Sequence, residues 1–162
     1  MKKVIIIGCP GSGKSTFARK LQSVTGLPLH HLDLIYWKSD RTIVPREEFL
    51  EKLHQIMAQE QWIIDGNYAS TMEMRMQACD TVIFLDYPPE LCLAGAQERK
   101  GKVRPDLPWV ESNDLDDSEF MKYIRKFHEL NRPTILSLLE KYSDKEIIIF
   151  HSREDAEIFL QK

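Results

Sequence analysis

Residues 4–16 read Val4-Ile-Ile-Ile-Gly8-Cys-Pro-Gly-Ser-Gly-Lys-Ser-Thr16, and this stretch decides the fold. A short β-branched run leads straight into Gly8-x-x-x-x-Gly13-Lys14-Ser15, the spacing of a phosphate-binding loop. The spacing has a physical cause. Gly8, Gly11 and Gly13 let the backbone turn tightly and aim successive N–H groups inward, forming an anion-binding nest. Pro10, Ser12 and Thr16 complete the loop and its exit. A helix starting near Lys14 adds the positive end of its dipole. Lys14 is then expected to reach the β- and γ-phosphates, and the Ser15 hydroxyl to ligate Mg²⁺. A strand signal before the loop and a helix signal after it argue against a chance match. The expected ligand is a nucleoside triphosphate.

The rest of the composition bounds the answer. A chain of 162 residues with 43% hydrophobic and 29% charged content reads as one ordinary globular domain spanning 1–162. Its formal net charge of −3 weighs against nucleic acid as a partner. The three cysteines, Cys9, Cys79 and Cys92, have no metal-ligand spacing and give no disulfide framework. The apolar run before Gly8 is too short for a signal peptide or a membrane span, so the expected location is cytoplasmic and no membrane partner is implied.

Strand and helix signals alternate along the chain. Strands are predicted at Val4–Ile7, Leu29–Leu32, Trp62–Asp65, Thr81–Leu85 and Glu146–Phe150. Helices are predicted from Lys14 to Val24, after Pro45, from Pro88-Pro89 to Arg99, and from Ser118 to Tyr142 with a bend at Pro133. A last short helix follows Ser152 as its cap. Continuous apolar strands separated by helices predict a three-layer α/β/α fold around a five-stranded parallel sheet. Ligands in such sheets bind beyond the carboxyl ends of the strands. That rule groups the Gly8–Ser15 loop with Asp33, Asp65 and Asp86. The segment at about 101–117 fits no period and carries Pro105, Pro108, Trp109 and an acidic stretch, which reads as a lid, a binding loop or a disordered stretch.

With these elements in place, the chain resembles the P-loop nucleoside and nucleotide kinases, relatives of adenylate kinase and shikimate kinase. The resemblance rests on the Gly8–Thr16 loop, on Trp62-Ile-Ile-Asp-Gly66, on Gln97-Glu-Arg99 entering the lid, and on Arg125-Lys-Phe-His-Glu-Leu-Asn-Arg-Pro-Thr-Ile-Leu136. Within the group, His31-Leu-Asp-Leu-Ile-Tyr-Trp37 and Asp65-Gly-Asn-Tyr68 are similar to small bacterial DNA topology modulation proteins. The resemblance implies sheet order 2-3-1-4-5, an acceptor-binding insertion at about 33–60 and a lid at about 101–117. It also implies ATP and Mg²⁺ as donor and cofactor. Adenylate kinases carry a phosphate-gripping arginine after their Asp-Gly, whereas this chain reads Asp65-Gly-Asn-Tyr-Ala69, with Arg75 the nearest arginine beyond.

The resemblance then distributes roles. Lys14, Arg99 and Arg125 are expected to clamp donor and acceptor phosphates, with Arg104 and Arg132 as further candidates. The plainer alternatives are a solvated helix end for Arg99 and an i, i+4 pair with Glu129 for Arg125. Asp33 is expected to hydrogen-bond an acceptor hydroxyl and help orient it; the alternative is capping a helix. Asp65 is expected to hold Mg²⁺ or bind the acceptor, its Asp-Gly turn signal being the alternative. Tyr36, Trp37, Asn67, Tyr68 and Arg75 complete the expected acceptor pocket. Trp62 reads as core, Asp86 as structural, and His30 and His31 as packing or loop hydrogen bonding. Trp109 would cover the site on lid closure. The function these residues imply is transfer of the γ-phosphoryl of Mg-ATP to a small polar acceptor, such as a nucleoside, nucleotide or hydroxyl metabolite, by a monomer or homodimer. The alternative is an ATP-binding regulatory protein or slow NTPase linked to DNA topology.

Overall fold

Val4, Ile5, Ile6 and Ile7 are all fully buried because their strand, β1 (Lys3–Gly8), lies at the centre of the sheet. Apolar side chains on both faces of a strand require cover on both faces, and a parallel sheet with helices above and below supplies it. Burying each such side chain is worth about 1.5–3 kcal/mol. The computed structural model describes residues 1–99 and 117–162. Most of the expected lid, with Arg104 and Trp109, lies outside the described residues, as does the side chain of Arg99.

β1 pairs in parallel with β3 (Trp62–Asp65) on one side and β4 (Thr81–Leu85) on the other. β2 (Leu29–His31) extends the sheet beyond β3, and β5 (Glu146–Phe150) extends it beyond β4. The order β2-β3-β1-β4-β5 is the one expected from the sequence. Helices α1 (Lys14–Thr25), α2 (Leu32–Tyr36), α3 (Arg46–Met57), α4 (Ala69–Ala78), α5 (Pro89–Arg99), α6 (Asp117–Lys126), α7 (Arg132–Lys141) and α8 (Arg153–Leu160) complete the layers. Register sets Ile6 beside Asp65, His31 beside Asp65 and Gly8 beside Leu85. The carboxyl ends of β2, β3, β1 and β4 therefore lie within two residues of one another at one edge of the sheet, and the loops that follow them meet. Among the described residues no helix is long and apolar enough to cross a membrane.

Several local signals act as expected. Gly26 closes α1 by donating its N–H to Gln22 O at 2.7 Å, and Ser152 Oγ accepts the Asp155 N–H at 3.2 Å to cap α8. Two boundaries differ. The second strand stops at His31, and Asp33 sits in the first turn of α2, because Leu32 turns inward and is fully buried. The long helix expected from Ser118 to Tyr142 is three pieces: α6, a π-helical turn at Phe127–Asn131, and α7. Pro133 has no N–H to donate and its ring crowds the preceding turn. The ladder widens just before it, with Arg132 N–H bonding Phe127 O.

Asp80, between α4 and β4, fastens the start of the chain. Its Oδ2 accepts the Lys2 and Lys3 N–H groups, each at 2.9 Å, and its Oδ1 accepts the Thr81 hydroxyl at 2.7 Å. Partial burial opposes ionisation, but the hydrogen bonds from Thr81, Lys3 and Lys2 outweigh it and hold the pKa below its ordinary 3.8. A carboxylate with a depressed folded-state pKa adds stability above its unfolded value and loses it as pH falls through the folded one. Asp80→Asn should therefore melt below the parent at neutral pH. Thermal denaturation across the acid range should show the gap closing below about 3.8; a gap that stays constant with pH would remove this role.

Candidate active site

A cavity of about 600 Å³ opens where the strands end, the size usual for a small-molecule site. One wall is the phosphate loop, with Pro10, Lys14 and Ser15; a second is built by Asp33, Trp37 and the exit of β3 from Asp65 to Ala69. The third comes from α6 and the π-helical turn.

The loop has the geometry of an anion cradle. Ser12 N–H bonds Cys9 O at 3.0 Å to close its turn. Gly11, at φ 85°, lies so close to α5 that an added Cβ would sit 2.0 Å from the Cys92 carbonyl oxygen, so no other residue fits. Gly13 starts α1 at φ 89° and offers no side-chain cap to the first N–H groups of the helix. Ser12 Oγ is buried and has no hydrogen-bond partner among the described residues. A buried hydroxyl without a partner beside an uncapped helix start fits a group rich in acceptor oxygens, which is what a phosphate chain provides. Lys14 Nζ reaches back to Cys9 O at 3.4 Å. The Ser15 hydroxyl accepts Arg19 Nη1 at 3.1 Å, and Thr16 Oγ1 accepts Arg19 Nη2 at 3.4 Å. Arg19 is a neighbour that sequence reading missed, although its place one helical turn beyond Ser15 was the available signal. The Cys9 thiol is pushed up, chiefly because it donates to Cys92 and secondly by burial, so it remains protonated beneath the loop.

Asp33, Asp65 and Tyr68 form the opposite side. Asp33 Oδ1 accepts the Tyr68 hydroxyl. Burial first, and then the nearby Asp33 charge, push the Tyr68 pKa upward, so the phenol keeps its proton and acts as donor. Asp65 is buried and its Oδ2 pairs with His31 Nδ1 at 2.9 Å, a side-chain bond between the last residues of β3 and β2. Trp37 and Tyr68 face the cavity, whereas Tyr36 packs behind them, with ring centroids 4.8 Å from Tyr68, 5.2 Å from Trp37 and 5.5 Å from Phe49. The aromatic set thus divides between lining and support. Trp62 is fully buried core.

Two arginines are placed otherwise than expected. Arg75, assigned to an acceptor phosphate, is fully buried beneath the turn after β3, and its guanidinium serves backbone carbonyls there. Helix geometry is the reason: α4 packs its inner face on β1, and position 75 falls on that face. Arg125 is exposed on α6, off the wall made by Phe120, Tyr123 and Phe127; the cation on that wall is Lys126, with Asn131 beyond it. Positions 120, 123 and 127 have helical spacing, which brings their side chains to the cavity on one face of the helix. Arg132 forms a two-point pair with Asp86, Nε to Oδ1 and Nη2 to Oδ2 both at 2.8 Å, which makes Asp86 the structural residue expected.

No protein-family model matches the chain, and no curated protein matches it in sequence. Solved structures do resemble it. A shikimate kinase from Bacteroides thetaiotaomicron aligns over 98% of this chain and 93% of its own length, with TM-score 0.63 and 18% identity. One from Acinetobacter baumannii, in complex with shikimate, covers 99% of this chain and 89% of its own, with TM-score 0.62 and 15% identity. The enzyme from Aquifex aeolicus covers 98% and 91%, with TM-score 0.58 and 18% identity. At such identities the likeness is one of backbone architecture. The chain shares with these structures its fold, a five-stranded parallel sheet in the order β2-β3-β1-β4-β5 with helices on both faces.

Proposed function

We propose that this chain is a kinase that transfers the γ-phosphoryl group of ATP, with Mg²⁺, to a hydroxyl of a small polar acceptor. The observation that carries this reading is the facing of two sites across one cavity: a phosphate cradle at Gly8–Ser15 and a carboxylate–phenol pair at Asp33 and Tyr68. ATP supplies the phosphoryl group, and Mg²⁺ neutralises the charge it carries. The chain supplies position. The loop N–H groups and Lys14 hold phosphate oxygens, and the Ser15 hydroxyl and Asp65 are suited to the metal or its water shell. Asp33 is placed to accept the proton of an acceptor hydroxyl, with Tyr68 fixing the carboxylate. Trp37 gives the acceptor an apolar surface. Arg99, at the end of α5, keeps the phosphate-clamping role that its sequence context suggests.

The test is ADP release from Mg-ATP with a panel of nucleosides, nucleoside monophosphates, shikimate-like polyols and duplex DNA, beside a control without acceptor. Turnover that rises with one small-molecule class supports the kinase reading. A low rate that no small acceptor alters would favour the slow NTPase or regulatory reading. On the productive acceptor, Asp33→Asn should lower kcat by roughly 10²-fold with nucleotide affinity unchanged. Unaltered kcat would remove Asp33 from the chemistry.

A further inference from the structure

Three consecutive residues after β3 each make a different long-range attachment, the first through its backbone and the next two through their side chains. The β1–β3 ladder ends with Ile6 beside Asp65, and Gly66 N–H still bonds Ile6 O at 3.1 Å. There the chain leaves the sheet. Asn67 continues the ladder with its side chain: Gly8 N–H donates to Asn67 Oδ1 at 3.1 Å, and Asn67 Nδ2 donates to Gly8 O at 2.7 Å. The amide thus stands in for a strand residue at the first position of the phosphate loop. Tyr68, next along, donates its hydroxyl to Asp33 on α2.

Arg75 holds this turn from below. Its Nη1 donates to Gly66 O at 3.0 Å, its Nη2 to Asn67 O and to Tyr68 O at 3.1 Å, and its Nε to Thr71 Oγ1 at 3.2 Å. Three successive carbonyls converging on one guanidinium fix three successive peptide planes. The turn needs that restraint, because Gly66 sits at φ 133° and Tyr68, which carries a Cβ, at φ 33°. A non-glycine residue in the left-handed region is held there only by its surroundings. Burial lowers the Arg75 pKa to about 10 against the pull of the Asp65 charge, and the group stays cationic at neutral pH.

We propose that the 66–68 turn is a mechanical link between the phosphate loop and Asp33, and that Arg75, through Asn67 and Tyr68, is the positioning residue for both. The link rests on the kinase reading only for its consequence in catalysis; its existence is a property of the free protein. It makes the two halves of the cavity one unit, so that loosening either attachment loosens the other.

Arg75 variants bear on overall stability, so the link is tested at its two ends with Asn67→Ala and Tyr68→Phe. Amide hydrogen exchange in the full chain without ligand reads the Ser12 N–H, which donates within the loop to Cys9 O. Both variants should speed Ser12 exchange by roughly 10-fold or more, while central β1 amides such as Ile5 stay within about 2-fold of the parent. Ser12 and Ile5 rates that rise together, as in uniform destabilisation, would overturn the link. So would a Tyr68→Phe variant whose Ser12 exchange is unchanged. None of these readouts requires ATP or an acceptor, so a protein that fails to phosphorylate anything can still pass the test, and an active kinase can fail it.

Discussion

Lys14→Ala should lower nucleotide-dependent turnover by roughly 10³-fold and leave the melting temperature unchanged or slightly raised. The ammonium lies in the first turn of α1 on the cavity wall. There it opposes the helix dipole, an arrangement that costs about 0.3–1 kcal/mol near a helix start and is stabilised only when an anion is bound. Its removal deletes charge-assisted hydrogen bonds to phosphate and a 3.4 Å bond to Cys9 O, and it does so on the cavity wall, outside the apolar core. Steady-state ADP release and a thermal melt on the same preparation check both halves. A variant that keeps more than about a tenth of parental turnover would contradict the assignment of Lys14 to the transferred phosphoryl group. A variant that loses turnover because it unfolds would contradict the argument about the dipole.

Arg75→Met should destabilise the fold by about 3–5 kcal/mol, the range for removing one member of a buried charged network. Methionine fills a similar volume and relieves the burial of a charge. It still leaves the carbonyls of Gly66, Asn67 and Tyr68 without their guanidinium donor. For a chain of this length that is a fall of roughly 10 °C in melting temperature. Arg75→Lys should recover only part of the loss, because one ammonium cannot reproduce the planar fork that spans three carbonyls. Denaturant and thermal unfolding of the two variants read this directly. A loss under about 1 kcal/mol for Arg75→Met would show that the turn stands without its arginine.

How far the site could be read in advance differs from residue to residue. The phosphate loop is a local structure: Gly11 and Gly13 are needed for the backbone path itself, so thirteen consecutive letters suffice to place it. Asp33 and Asp65 line the cavity, as the rule that residues at the ends of parallel strands gather at one edge leads one to expect. Arg75 and Arg125 show where that reasoning stops. Both are arginines near the expected place in the chain, yet one faces the carbonyls under a turn and the other faces solvent. Distance along a sequence does not say which face of a helix a side chain occupies once the helix is packed. The widened turn before Pro133 is an intermediate case, since the proline predicts a disturbance but not its form.

The sequence by itself determined the parallel sheet, its strand order through resemblance, the glycine-rich loop after β1 and the edge of the sheet at which the candidate residues gather. These follow from periodicity, glycine spacing and handed connections, which are properties of neighbouring residues. Only the tertiary structure decided that Asn67 completes the β1 ladder, that Tyr68 grips Asp33, and that Arg75 supports the turn instead of reaching into the cavity. Those contacts join residues 7 to 59 positions apart through side-chain hydrogen bonds, and such bonds are chosen by packing after the elements have met.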